Sequence, residues 1–276
     1  MKRLMMMVAL VSSMCAVAAE SPRVLSHRGG RAEYDDNAAG GFKKCLDAGV
    51  TGFETDIRMT KDLKLVIMHD AKVERTTEGK GVVEEMTFDE VTGLVMKRSR
   101  EKSPSVQQVM DVFKGRADVD IELEMKAGGK FYEGANMETY CRKLHDMAVA
   151  TLKPGTYTFT SFNPKALTTM KRLFPDAPTG YIRGEALTKD FVDTAKSLGC
   201  CRVAPLMKDK KGRVTDKEIV DYAHDNGMKV TGWMVQNLET WKTAKAAGCD
   251  CTTSDHPMAL IKAIKESSAK EQQKGD

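Results

Sequence analysis

Polar and apolar positions alternate most regularly in two stretches of the chain, 52–59 and 119–126. In the first, Glu54, Asp56 and Arg58 take one strand face while Phe53, Thr55 and Ile57 take the other. In the second, Asp120, Glu122, Glu124 and Lys126 oppose Val119, Ile121, Leu123 and Met125. Residues 60–63 are polar enough to turn the chain, and Leu65, Val66, Ile67 and Met68 form a second apolar strand. The gap is too short for a parallel crossover, so a hairpin is expected. A turn centred between Lys61 and Asp62 sets Glu54 opposite His69, bringing two carboxylates and an imidazole together. A strand lying between helical stretches is covered on its outer side, so the charged face at 120–126 is expected to look inward.

The rest of the chain repeats strand, then helix. A short apolar strand ends at His27-Arg28-Gly29-Gly30, where the glycines permit a tight turn. Asp36-Asn37 offers a start for a helix over 38–48. Capping-box patterns stand at Thr87, Ser105 and Thr215, and Arg75-Thr-Thr reads as loop. Five later strands are expected at 156–162, 179–182, 201–206, 229–235 and 250–254, each before a helix. The last helix covers 257–267, and the Lys/Gln-rich end frays. Counting the strands at His27, Glu54 and Glu124 gives eight strands alternating with helices. That count points to an α/β fold, a TIM (β/α)8 barrel with a small insertion after the second strand, about 57–118. Residues 20–276 then form a single domain.

Composition changes this picture little. Removing Lys2 and Arg3 with a leader lowers the formal charge from +4 to +2, too weak a balance to imply nucleic acid or an anionic membrane surface. Residues 1–19 have a basic start, an apolar run and small residues at the end, and read as a signal peptide for export to the periplasm or outside the cell. No stretch favours stable membrane insertion, and no protein partner is indicated. Cys45, Cys141, Cys200, Cys201, Cys249 and Cys251 lack zinc-site spacing and read as buried thiols.

Barrel sites form at the C-terminal strand ends, which here carry His27-Arg28, Glu54-x-Asp56, Glu124-x-Lys126, Ser161-Phe162 and Trp233. Three carboxylates without a thiolate suit a hard divalent cation, Mg²⁺ or Ca²⁺, with Glu54, Asp56 and Glu124 as candidate ligands. Arg28 and Lys126 suit a bound oxyanion such as phosphate, and Trp233 is a candidate stacking wall. His27 and His69 are the candidate acid and base. The combination points to phosphoester cleavage.

The stretch from His27 to Phe42, with Gly52-Phe-Glu-Thr-Asp56, Thr60-Lys-Asp62, His69-Asp70 and Arg75-Thr-Thr77, resembles the glycerophosphodiester phosphodiesterase family. Glu124-Met-Lys126, Ser161-Phe162, Gly232-Trp233 and Thr253-Ser-Asp-His-Pro257 extend the resemblance over nearly the whole chain after the leader. The resemblance implies a TIM barrel and hydrolysis of a small-molecule glycerophosphodiester to glycerol 3-phosphate and an alcohol. It also implies Glu54, Asp56 and Glu124 as metal ligands and His27 and His69 as the acid/base pair. Arg28 would hold phosphate, and Lys126 would support phosphate or metal-bound groups. Asp36-Asn37-Ala38 departs from the family's Glu-Asn-Thr, and the following Ala-Gly-Gly is expected to loosen the helix packing. The polar pair near the end has become Thr253-Ser254-Asp255.

Two rival readings remain. A phospholipase D-like enzyme acting on intact lipid calls for apolar membrane-binding loops, which the sequence lacks. A non-catalytic secreted barrel that binds phosphodiesters would be expected to lose His27 or His69, and both are present. Elsewhere His145, His224 and His256 read as structural or surface residues, and the basic run 208–211 as a solvated loop. Glu122 is a reserve metal ligand.

Overall fold

In the computed structural model, residues 21–273 are described, so the expected leader at 1–19 lies outside the described residues. Along the chain run β1 (Arg23–His27), α1 (Ala39–Asp47), β2 (Gly52–Met59), β3 (Leu65–Ile67), α2 (Phe88–Thr92), α3 (Val106–Val112) and β4 (Asp120–Met125). After α4 (Ala135–Thr151) come β5 (Tyr157–Ser161), α5 (Pro164–Leu173), β6 (Thr179–Ala186), α6 (Lys189–Ser197) and β7 (Arg202–Leu206). The chain closes with α7 (Lys217–Asp225), β8 (Lys229–Gly232), α8 (Leu238–Ala247), β9 (Cys251–Ser254) and α9 (Pro257–Gln272). Eight strands pair in parallel in the order β1-β9-β8-β7-β6-β5-β4-β2, and β1–β2 pairing closes the ring. This is the (β/α)8 barrel that the alternation predicts.

β3 is the exception. β1 pairs with β2 only as far as Glu54, and β3 then runs antiparallel along Ile57–Met59. The ladder sets Ile57 opposite Ile67 and Met59 opposite Leu65, so the turn centres on Asp62. This corrects the expected register by one residue. Met68 donates its amide to the Asp56 carbonyl, the ladder stops there, and Glu54 has no cross-strand partner in His69. The cause is local. Leu63 adopts a left-handed conformation (φ 59°), and the Thr60 hydroxyl donates to Asp62, making the loop one residue longer than a tight turn.

Outward positions of the strands bury against the helices: Phe42, Phe53 and Phe113 form an aromatic cluster with Phe53–Phe113 centroids 4.4 Å apart. Each such ring contributes roughly 1.5–3 kcal/mol by leaving water. Inward positions are polar, as the pattern at 120–126 predicts, and Glu54 and Asp56 sit level with Glu122 and Glu124. At the N-terminal end of the barrel, Arg202 donates to Asp120 (2.7 Å) and Glu122 (2.8 Å), and Thr231 donates to Glu122. Glu122 is therefore committed to Arg202 and Thr231 and stands outside the Glu54, Asp56 and Glu124 cluster, which removes it as a reserve ligand.

Several boundaries differ for physical reasons. Asp36 and Asn37 do not cap α1; Ala38 holds the cap position without a side-chain bond, because both polar side chains turn into the barrel mouth. The glycines tighten this helix against β1, since a methyl at Gly41 would lie 2.8 Å from the Gly29 carbonyl oxygen. The loosening expected from Ala-Gly-Gly does not occur. Asp216, not Thr215, caps α7, and the Thr215 hydroxyl instead donates to the Leu206 carbonyl. Arg75 ends a short 3-10 turn, Val73–Arg75, rather than lying in irregular loop. β6 runs to Ala186 and β8 stops at Gly232, while α9 continues through the polar tail to Gln272. The six cysteines among the described residues are free thiols, buried except for Cys201.

Candidate active site

Each site residue is placed by a strand end. β1 delivers His27 and then turns sharply, with Arg28, Gly29 and Gly30 all at positive φ. Arg28 is the non-glycine member of this run, at φ 52°, a conformation that costs energy and is kept where the surroundings demand it. There its amide donates to Glu54 Oε2 (3.0 Å), and its side chain donates to Asp36 Oδ2 (2.9 Å) and lies 3.4 Å from Asp56. β2 supplies Glu54 and Asp56, and β4 supplies Glu124, with Lys126 just beyond it. One carboxylate oxygen from each of Glu54, Asp56 and Glu124 lies within 4.8 Å of the others.

Three buried carboxylates this close repel one another. Lys126 Nζ answers part of the charge, 2.6 Å from Glu124 and 3.1 Å from Asp56. Burial works to raise the Asp56 carboxyl, but Lys126, Arg28 and His69, with a hydrogen bond donated by Asn37, outweigh it and hold Asp56 below the usual range. Burial, then repulsion from Asp56 and Glu124, pushes Glu54 well above it. Burial likewise raises Glu124, against the opposing pull of Lys126. Glu54 Oε1 is buried without any hydrogen-bond partner. An orphaned buried carboxylate oxygen beside two more carboxylates is an all-oxygen donor set that fits a hard divalent cation.

The two histidines flank this cluster, and each is tied at Nδ1. His27 Nδ1 pairs with Asp255 Oδ1, which leaves Nε2 facing inward, 3.9 Å from Glu54 Oε2. Asp255 is itself held by Gln236, which donates to its Oδ2 (2.9 Å). His69 Nδ1 pairs with Asp70 Oδ1 (2.6 Å). Burial lowers His27, only partly offset by Asp255, and lowers His69 to about 4. Each imidazole thus has Nδ1 fixed by a carboxylate and Nε2 available to the cavity.

A cavity of about 260 Å³ joins these groups, lined by His27, Arg28, Glu54, His69, Glu124 and Lys126. Its apolar wall is Phe162, Ile182, Trp233 and Met234. Trp233 donates its indole N–H to the Ala204 carbonyl, so it is anchored in the barrel and still lines the cavity. The structure brings together every residue that the sequence proposes for the site, Asp56 lying beneath the cavity floor. Ser161 is buried and donates its hydroxyl to the Met125 carbonyl, so it braces β4 against β5.

Some participants are not visible as such in the sequence. Asn37 reads as a helix start, yet it donates to Asp56 and accepts from the Thr55 hydroxyl. Asp255 is 228 positions from the histidine that it orients. Asp36 accepts from both Arg28 and Arg75, and Arg75 reaches on to Asp70, so a charged chain joins the two halves of the mouth. The shortened side chain of Asp36 still spans to both arginines.

Comparisons with known proteins agree with this geometry. Residues 27–259 match the model of the glycerophosphoryl diester phosphodiesterase family. A glycerophosphodiester phosphodiesterase of Caldanaerobacter subterraneus subsp. tengcongensis is 26% identical over 253 residues, covering 88% of this chain and 98% of that protein. The rat glycerophosphodiester phosphodiesterase 1 is 39% identical over 70 residues, 25% of this chain and 21% of its own length. Among solved structures, an Oleispira antarctica phosphodiesterase in complex with the product sn-glycerol-3-phosphate superposes with a TM-score of 0.76 at 21% identity, over 88% of this chain and 97% of that one. A glycerophosphodiester phosphodiesterase from Parabacteroides distasonis gives 0.73 at 22% identity, over 90% and 98%. The match spans the barrel from its first catalytic-end histidine into its last helix, and the chain belongs to the glycerophosphoryl diester phosphodiesterase family.

Proposed function

We propose that the chain hydrolyses glycerophosphodiesters to glycerol 3-phosphate and an alcohol, with His27 and His69 as the acid/base pair. The observation that carries this reading is the pairing of two Nδ1-anchored histidines with a carboxylate cluster in one cavity. Glu54, Asp56 and Glu124 would hold Mg²⁺ or Ca²⁺, which when bound neutralises their charge and favours an anionic phosphate above them. Arg28 and Lys126 add cationic donors for the phosphate oxygens, and Trp233 with Phe162 forms the wall against which the organic part lies.

Among the described residues no serine or cysteine lines the cavity, and we assign the nucleophile to the substrate itself. The glycerol 2-hydroxyl lies close enough to attack its own phosphorus, with one histidine removing its proton and the other protonating the departing alcohol oxygen. The P–O bond to that alcohol breaks as the cyclic phosphate forms. Water then attacks the phosphorus and the P–O bond to the 2-oxygen breaks, the first histidine returning its proton to that oxygen while the second takes one from the water. We further infer that the chain works after export, on the pattern of residues 1–19.

The test is purified protein with glycerophosphocholine and glycerophosphoethanolamine, with and without chelator. Glycerol 3-phosphate should accumulate, and chelation should stop it. A substrate lacking the 2-hydroxyl should be almost inert; turnover at the normal rate would refute attack by that hydroxyl.

A further inference from the structure

Arg58 shares the inward strand face with Glu54 and Asp56, yet the chemistry above gives it no task. Its side chain is 13% exposed. It donates from Nε (3.0 Å) and Nη2 (2.8 Å) to a single acceptor, the carbonyl oxygen of His69. Its remaining nitrogen, Nη1, donates to Glu84 Oε1 at 2.7 Å. The β2–β3 ladder ends at the amide of Met68, so the His69 carbonyl lies one residue past the last main-chain partner. A side chain from β2 takes the place of the missing strand.

Glu84 is held in its turn. It belongs to the short turn Val83–Glu85, and it also accepts from the Tyr132 hydroxyl at 3.1 Å. That hydroxyl accepts from the amide of Met59, the residue after Arg58, at 2.9 Å. Tyr132 is buried and packs edge-on against Tyr140, with centroids 5.2 Å apart. Four stretches of chain therefore meet around one guanidinium, and one of them carries the histidine.

We propose that Arg58 is a positioning residue for His69. It fixes the main chain where the hairpin leaves the sheet, so the imidazole, tied to Asp70 at Nδ1, presents Nε2 to the same cavity as His27. Glu84, braced by Tyr132, fixes Arg58. The role needs the planar guanidinium fork, because a lysine ammonium on a flexible stem cannot grip one carbonyl twice and reach Glu84 as well. A displacement of about 1 Å at an acid/base group can lower turnover about 10²-fold. The inference rests on the assignment of His69 made above.

The experiment compares Arg58→Ala, Arg58→Lys and Glu84→Gln with His69→Ala and with the Arg58→Ala/His69→Ala double variant, using glycerophosphocholine. Arg58→Ala should lower kcat about 10²-fold with KM within about threefold, and Arg58→Lys should fall between it and the unaltered protein. Glu84→Gln should give a smaller loss in the same direction. The double variant should be no slower than His69→Ala alone, because the two residues act through one group. Amide hydrogen exchange supplies a readout independent of turnover. The Met68 and Val73 amides, both hydrogen-bonded and flanking His69, should exchange faster in Arg58→Ala, while the amides of β4 keep their protection. Multiplying losses in the double variant, a raised KM at unchanged kcat, or unchanged exchange at Met68 and Val73 would each overturn the proposal. Unaltered protein with no activity, or a fully active His69→Ala, would instead overturn the function proposed above, and the exchange measurement would still decide the role of Arg58.

Discussion

At the scale of single residues, the site depends on second partners that fix the reacting atoms. Asp255 accepts from His27 Nδ1 and so sets which imidazole nitrogen meets the substrate. Asp255→Asn keeps the shape but can present an N–H to Nδ1, favouring the opposite tautomer. We expect kcat to fall about 10²-fold or more with little change in KM, measured by steady-state kinetics with glycerophosphocholine. Unchanged kcat would show that the contact is only structural. His27→Ala and His69→Ala should each lower kcat about 10³-fold or more while circular dichroism shows an unaltered fold; near-normal activity in either refutes its role. The types and spacing of His27, Glu54, Asp56, Glu124 and Lys126 marked them in the sequence, because charges on the inward face of barrel strands need a purpose. Asp255 and Asn37 were not readable that way. One is an acid far along the chain, and the other looks like an ordinary helix cap.

At the scale of elements, α9 is docked by the loop that follows β1. Glu33 accepts from the Met258 amide (3.0 Å) and the Ala259 amide (2.8 Å), capping a helix 225 positions away and closing the barrel where its ends meet. Glu33→Ala should cost about 1 kcal/mol of stability, seen as a lower urea midpoint, with kcat unaffected. A loss of turnover without loss of stability would mean that the loop matters for chemistry instead. The hairpin shows where element-level reading stops. Two strands and a reversal were plain in the alternation at 52–68, but their register depended on a left-handed Leu63 and a hydroxyl-to-carboxylate bond in the loop. A shift of one residue moves every cross-strand partner. The partner expected for Glu54 was lost in that shift, while the convergence of His69 on the site was not. It is Arg58, by gripping the main chain beyond the ladder, that holds His69 there.

At the scale of the whole molecule, the barrel confines negative charge, and pH reports it. Burial, together with carboxylate repulsion, raises Glu54 and Glu124 above their unfolded value of 4.5. Below about that pH both folded and unfolded chains hold these protons. As pH rises past it, the unfolded chain releases them first, so folding stability contributed by these two groups is lost as pH climbs toward their folded values. His27 and His69 are lowered from 6.5 and act with the opposite sign over an overlapping range. The carboxyl contribution is therefore read in chelator as the difference between the unaltered protein and Glu54→Gln, whose advantage in melting temperature should grow as pH rises through that range. Added Mg²⁺ or Ca²⁺ should raise the melting temperature of the unaltered protein at neutral pH, since a ligand that binds only the folded state stabilises by mass action. Calorimetry with and without cation checks this, and no dependence on cation would remove the metal from the proposed site. By itself, the sequence determined the eight-fold alternation, the inward row of acids and the two histidines. Local pattern encodes which face of a strand is buried, and eight strand–helix units close in one way. The tertiary structure alone decided the hairpin register, the pairing of Glu122 with Arg202, and the partners of His27 and His69. Those contacts join residues far apart in the chain, and nothing in local periodicity records which distant strand end will stand beside another.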